Sequence, residues 1–376
     1  MNKFVIAPFQ YSFSEEDIDF ILSSFGTILR NHHFLTMGEY GENFERNFCE
    51  YNKMSYAVSV SSGTSALEII LRTIGVAGGK VIVPTNTFGA TIIPVLCAGA
   101  IPVFADCTSD LTICPKDVAR KMSDDVKAVI TVHIGGLISP HTLELKTLCE
   151  NKSILLVEDA AHAVGSSLNG EKAGKFGIAA AFSFFSTKLM TCGEGGMIVT
   201  DDENIDRNAR LLRNHAKSGK NRMSNHGYNW RLTEIQSLMG IRQLKRLDEF
   251  IAQRNNIAAI YDSILNDLEG VHIIYPPPET VHNRYKYIIL LERCSPHDVE
   301  KTLRDRYDIP LGGYVYEEPC HWQPAFKRFE GSDCVLAEKL CTSHICLPIY
   351  QDMTEEEARF VANSVREVIQ AYNSRL

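Results

Sequence analysis

The stretch FSFFSTKLMTCGEGG, residues 182–196, sets one lysine, Lys188, between a hydroxyl-bearing strand end and three closely spaced glycines. A lysine in a loop is ordinarily a solvated surface charge, so its meaning depends on what the rest of the chain brings to it. Upstream, ILLVEDAAHAVG (154–165) runs an apolar strand into Asp159, and VSVSSGTSALEIILRTIG (58–75) leads through a small-residue turn into a helix. An acid at a strand end, a phosphate-sized turn and a lysine are the three anchors that pyridoxal phosphate requires, because this cofactor is an electron sink only while its ring nitrogen stays protonated.

Around these anchors, short apolar runs alternate with helix-length segments: VIVP (81–84), PVFAD (102–106), AVITVHI (128–134), ILLVED (154–159), AAFSFF (180–185) and GMIVTD (196–201). That alternation predicts an α/β architecture with a mostly parallel sheet covered on both faces. Ligands on such sheets bind beyond the carboxyl ends of the strands, where Asp159 and the segment from Ser183 to Lys188 fall. From Thr233 onward the apolar residues take a helical period, through Ile235, Leu238, Met239, Leu244, Leu247, Phe250 and Ile251 and on to Ile257, Ile260, Tyr261 and Ile264. This reads as a helix or helix pair bridging a large domain (1–245, its extreme N-terminus packing on the other domain) and a smaller C-terminal α/β domain (246–376). The prolines at 276–278 form a turn or short extended link. YKYIILL (285–291) reads as a strand of the small domain, and EEEARFVANSVREVIQAY (355–372) as a closing amphipathic helix.

In order along nearly the whole chain, SSGTSAL, VIVPTNTFGAT, AGAIPVFADC, VEDAAHAVGS, FSFFSTKLMTCGEGGMIVTDD, GYNWRLTEIQ and YEEPCHWQPAF resemble the sugar aminotransferases called DegT/DnrJ/EryC1/StrS. The resemblance implies the aspartate aminotransferase-like fold of pyridoxal phosphate-dependent transferases. It implies an enzyme that moves an amino group from an amino acid, L-glutamate, to a nucleotide-linked keto-sugar, in the making of an amino sugar. It also implies roles for residues: Ser183 as a phosphate ligand, Phe88 stacked on the cofactor ring, and His162 near the phenolic oxygen. GYNWRLTEIQ resembles a loop that reaches into the neighbouring subunit of a homodimer and places Asn229 at the phosphate. Its wording is nearer to relatives acting at carbon 4 than at carbon 3. Tyr316 and His321 fall in a segment at the substrate end. The family more often carries glycine where this chain has Ala216, and a small residue where His32 or His33 stands. Sugar dehydratases of the same fold resemble this pattern with histidine replacing the lysine, and here Lys188 is intact. A cofactor-binding regulatory protein without turnover would have no need of both Lys188 and the glycines after it.

Read from the residues alone, each position also has a plainer role. Asp159 is a good N-cap for a helix beginning AAHAV; alternatively it protonates the ring nitrogen, which would explain why a strand ends in Glu158 and Asp159. Gly63, Thr64 and Ser65 open a helix whose free amides and dipole suit an anion, but Ser65 with Glu68 also spells a capping box. Phe88 could be core, His162 a satisfied surface group, and Arg231 either a carboxylate or pyrophosphate anchor or a structural ion pair. To act as a base Lys188 must shed its proton, which apolar neighbours such as Phe184, Phe185, Leu189 and Met190 favour.

The formal net charge of −8 gives no footprint for nucleic acid. Eleven cysteines without a CxxC pair fit a reduced, cytoplasmic setting. Cys341, His344 and Cys346 in CTSHIC make a poor tetrahedral metal site, so no metal is expected. Residues 90–105 are apolar but broken by Pro94 and Pro102, and the first residues lack the order of a signal peptide, so no membrane segment is expected.

Overall fold

The computed structural model describes residues 4–220, 222–329 and 333–374. The chain opens with helices α1 (Glu15–Arg30) and α2 (Glu39–Asn52), then β1 (Tyr56–Val60), α3 (Gly63–Thr73), β2 (Lys80–Pro84), α4 (Gly89–Cys97) and β3 (Ile101–Ala105). It continues through α5 (Pro115–Lys121), β4 (Val126–Val132), α6 (His141–Asn151) and β5 (Leu155–Asp159). Two short strands, β6 (Ser167–Leu168) and β7 (Glu171–Lys172), precede β8 (Ala179–Ser183), β9 (Gly196–Thr200) and α7 (Glu203–Leu212). After a loop come α8 (Glu234–Lys245) and α9 (Leu247–Leu265). The remainder is β10 (Val271–Ile273), β11 (Thr280–Val281), β12 (Tyr287–Leu291), α10 (Pro296–Tyr307), α11 (Val335–Cys341), β13 (His344–Leu347) and α12 (Glu355–Asn373).

The main sheet has seven strands in the order β1-β9-β8-β5-β4-β2-β3. Five neighbours, β8 to β3, pair in parallel, and β9 runs antiparallel to both β8 and β1. All six expected strands form. Their near-continuous apolar runs are buried on both faces, as a sheet covered by helices requires. Residues 81–84 and 102–104 sit wholly or almost wholly out of solvent.

The long α9 joins two apolar clusters. Its first turns, with Leu247, Phe250 and Ile251, pack with the phenylalanines of α2 and β8. Its later turns, with Ile257, Tyr261 and Leu265, pack against the sheet β10-β12-β13 and α12. Ile6 is buried in that second cluster and the Phe4 ring lies 5.5 Å from Phe360.

What positions the site is a close approach of backbones. The start of α3 lies directly on the ends of β8 and β9: a Cβ on Gly63 would meet Ser183 Cβ at 2.9 Å, and one on Gly196 would meet Gly63 N at 2.7 Å. Only glycine permits this contact. The cap of α3 differs from the expected box of Ser65 and Glu68. Ser62 is the N-cap, its hydroxyl accepting from Ser65 N while Ser65 Oγ accepts from Ser62 N. Glu68 instead pairs with Arg72 one turn later, at 2.6 Å. The cap sits one turn earlier because the chain leaves β1 extended as far as Ser62. Ala216 occupies the left-handed region, at φ 53°, which accounts for glycine at this place in the family the sequence resembles.

Gly196→Ala is expected to push the first turn of α3 off the sheet and to cost about 1–3 kcal/mol, measured by urea unfolding. Ala216→Gly trades left-handed strain against added freedom of the unfolded chain, so it is expected to leave stability unchanged or raise it by up to about 1 kcal/mol.

Candidate active site

The carboxyl ends of the central strands and the N-terminus of α3 enclose a cavity of about 430 Å³. Gly63, Thr64, Phe88, Asp159, His162, Ser183, Lys188 and Tyr316 all border it.

Asp159 ends β5 and is buried, with 6% of its surface exposed where it borders the cavity. Residues 160–165 form turns and not a helix, so it caps nothing; its Oδ1 accepts from Ala161 N (3.1 Å) and Oδ2 from Thr91 Oγ1 (2.7 Å). Among the described residues no cation forms an ion pair with it. Burial drives its carboxyl above the ordinary value of 3.8, against the opposing pull of Thr91, Ala161 and Lys188. Glu158 points to the opposite face, as strand alternation demands. There it accepts from Gly174 N, Phe176 N and Gly177 N and faces His133 Nε2 at 2.9 Å. The expected explanation of both acids by one ligand thus holds no place for Glu158, which is satisfied by the protein itself.

The first turn of α3 borders the same cavity and supplies free amides to it. Thr64 and Ser183 border it too, and the hydroxyl of neither hydrogen-bonds another described residue. Lys188 sits in the turn after β8, its backbone N donating to Phe185 O, and its Nζ stands 4.9 Å from the Tyr285 ring centroid.

Aromatic rings form the walls. Phe88 is 64% exposed and therefore free to offer its face, and Tyr316 lies nearly parallel to both Phe88 (6.2 Å, 22°) and His162 (6.3 Å, 18°). Gly135 N donates to His162 Nδ1 at 3.3 Å, which puts the proton of a neutral ring on Nε2. Burial, helped by Lys188 and Lys286, holds His162 well below its ordinary pKa, so it is neutral and Nε2–H is a donor, 3.4 Å from Tyr316 Oη.

Three expected residues lie elsewhere. Asn229 is exposed, its backbone bridged to Asn214, and Arg231 Nη1 donates to Asn214 Oδ1 at 2.8 Å. His321 is buried behind the cavity wall with both ring nitrogens engaged, Nδ1 with Thr85 Oγ1 (2.6 Å) and Nε2 with Glu338 (3.0 Å). In CTSHIC, Val315 N donates to His344 Nε2 and Nδ1 bonds Leu340 O, so both nitrogens are used within the protein. Among the described residues no two cysteines form a disulfide, and no described helix is long and apolar enough to cross a membrane.

The cavity also contains groups that the sequence left unmarked: Thr91, Tyr285 and Lys286. The Tyr285 ring packs on His162, tilted by 34° with the centroids 4.4 Å apart. Burial pushes its phenol up, but Lys188 and Lys286 together with a hydrogen bond from Thr187 outweigh that and leave it below the ordinary tyrosine value. A threonine one turn after Phe88, and a lysine breaking the apolar run NRYKYIILL, were the available signals.

The aminotransferase family model DegT/DnrJ/EryC1/StrS matches residues 16–366. The chain belongs to that family. It is 33% identical over 336 residues to a GDP-perosamine synthase of Vibrio cholerae, covering 88% of this chain and 90% of the relative. It is 32% identical over 342 residues to the dTDP-3-amino-3,4,6-trideoxy-alpha-D-glucose transaminase of Micromonospora megalomicea, covering 89% and 91%. Among solved structures, Helicobacter pylori PseC, an aminotransferase involved in the biosynthesis of pseudoaminic acid, superposes with a TM-score of 0.90 at 26% identity, covering 98% of this chain and all of that one. The fold is that of the pyridoxal phosphate-dependent sugar aminotransferases. The cavity fits that cofactor on its own geometry, since a buried carboxylate with no cation partner, a helix N-terminus and a lysine face one space.

In the cofactor-free protein Asp159 keeps its stabilising proton below the ordinary carboxyl pKa of 3.8 and loses it as pH rises through the raised folded value. Asp159→Asn is therefore expected to melt at or above the wild-type temperature near pH 8 without cofactor, and to lose that advantage toward pH 4. It should bind the cofactor more weakly. Thermal melts across pH, with and without cofactor, check the sign.

Proposed function

We propose that this aminotransferase carries an amino group from an amino acid, L-glutamate, to the ketone of a nucleotide-linked sugar, and that it works as a cytoplasmic homodimer with shared sites. The observation that carries the reading is the convergence of Lys188, buried Asp159 and the first turn of α3 on one cavity, with aromatic walls beyond them. Pyridoxal phosphate, when bound, supplies an aldehyde that accepts the amino group and a ring that withdraws electrons.

The protein's part is to bind, orient and move protons. The amides of the first turn of α3, with the Thr64 and Ser183 hydroxyls, hold the phosphate. The Asp159 carboxylate keeps a proton on the ring nitrogen, and that pairing relieves the cost of its burial. Phe88 would cover the cofactor's ring, and the His162 Nε2–H would be a donor toward it. Lys188 is the residue that would hold the aldehyde end of the cofactor, and its Nζ would serve as the base that removes and returns the proton at the substrate carbon. Tyr316 lies where the sugar enters. Arg231 and Asn229 stand outside their own cavity, which suits a loop that serves the neighbouring subunit. We place the division between the large and small domains at the start of α9.

Offered a panel of nucleotide-linked keto-sugars, the pyridoxamine-loaded enzyme is expected to regain its aldehyde absorbance with at least one of them and with none of the free sugars. No return across the panel contradicts the substrate class. Mixing Lys188→Ala with Asn229→Glu, each inactive alone, is expected to restore about a quarter of wild-type activity after subunit exchange, because about half of the dimers then hold one intact site. No recovery, with exchange confirmed by mass, contradicts the shared site.

A further inference from the structure

Next to the main cavity lies a second chamber of about 290 Å³, and the two share the wall formed by Thr187, Tyr285 and Lys286. Its other sides come from Pro8 and Phe9, from Arg254 and from the Gly312–Gly313 turn. Among the described residues no acidic one lines it, whereas two cations do. Lys286 is half-buried with its Nζ donating to Gly312 O, and forms no ion pair with a described residue. Arg254 is 3% exposed. Its Nη1 donates to Arg284 O (3.0 Å) and its Nη2 to Gln351 Oε1 (3.1 Å), and among the described residues its Nε has no hydrogen-bond partner and no carboxylate pairs with it. Burial pulls this guanidinium down to about 10, so it remains charged at neutral pH.

Two cations in one small chamber without a counter-charge are costly unless something negative visits. Gly313, whose φ of 83° favours glycine, stands beside Lys286, whose Nζ an added Cβ would meet at an ordinary contact distance of 3.9 Å. We infer that this chamber is a carboxylate site, with Lys286 as the contact and the Thr187 hydroxyl beside it, that receives the carboxylate end of the amino-acid donor while its amine faces Lys188. The inference rests on the proposed donor class. It adds the group that recognises the donor and separates donor from acceptor: the keto-sugar occupies the main cavity by Tyr316, and the carboxylate goes through the shared wall. Arg254 is a positioning residue, fixing the backbone of residues 284 and 285 that carries Lys286. A nucleoside diphosphate is the other anionic group this enzyme class handles; it is bulkier than the carboxylate arm and the chamber is smaller than the main cavity.

The test uses the cofactor-loaded enzyme and glutarate, a dicarboxylate with no amine to react. By calorimetry glutarate is expected to bind wild type, to bind Lys286→Met about tenfold or more weakly, as loss of one charge-assisted hydrogen bond predicts, and to bind Lys286→Arg nearly as wild type does. Circular dichroism and the melting temperature confirm that each variant is folded. Equal glutarate affinity in wild type and Lys286→Met overturns the site, as does a Lys286→Met variant that loses affinity for a nucleoside diphosphate and keeps it for glutarate. Conversion of wild type to its pyridoxamine form by L-glutamate is followed separately. If no amino acid converts it, the donor reading fails; if L-glutamate converts it and glutarate ignores Lys286, only the chamber fails.

Discussion

An ionisable carboxyl group, Asp159, is buried with one hydroxyl and one amide as its partners and no cation paired with it among the described residues. Taking a carboxylate into a protein interior without a counter-charge costs several kcal/mol, so the fold spends stability to keep this group where it is. The sheet makes the placement unavoidable. β5 is central, its register against β4 and β8 sets residue 159 at the carboxyl edge, and strand alternation turns Asp159 inward and Glu158 away. Glu158 shows what a satisfied acid looks like in this interior, with three amides and a histidine around it. The contrast between adjacent residues marks Asp159 as waiting for a positive ligand.

The second constraint is steric. An anion site at a helix N-terminus is useful only if the helix starts close to the remaining anchors, and here α3 starts in contact with the ends of β8 and β9. Gly63 and Gly196 make that possible by having no side chain to separate the backbones. Lys188 follows in the turn leaving β8, so one crossing of the chain supplies both the Ser183 hydroxyl and the lysine.

Much of this was legible. Continuous apolar runs gave the six strands, because a strand buried on both faces carries no polar positions to blur the signal. The stripe after Thr233 was legible as α8 and α9 for a different reason, the return of apolar residues at a helical period among polar ones. β1 was not marked: its YAVSV is short and runs straight into the turn before α3, and its pairing with an antiparallel β9 depends on contacts far apart in sequence. The cap of α3 went to Ser62 and not Ser65 because both serines satisfy the local pattern and only the chain's path chooses between them. The candidate residues that form contiguous motifs, Asp159 with His162 and Ser183 with Lys188, were legible in the sequence, and the structure brings them to one cavity. Tyr285 and Lys286 were hidden because the residues before β12 read simply as part of a strand, and only the packing of that strand beside the lysine turn shows that they border the cavity. His321 stands next to cavity residues in sequence, yet the 3₁₀ turn Cys320–Trp322 carries its ring to Thr85 and Glu338.

The central claim is that Lys188 and Asp159 flank one cofactor in this cavity. Borohydride reduction of the yellow, cofactor-loaded protein followed by peptide mapping tests it most directly. The account predicts one covalently labelled peptide, containing Lys188, and in Lys188→Ala a cofactor still bound through Asp159 and α3 but no longer fixed by reduction. A label on any other lysine, Lys286 included, would contradict it.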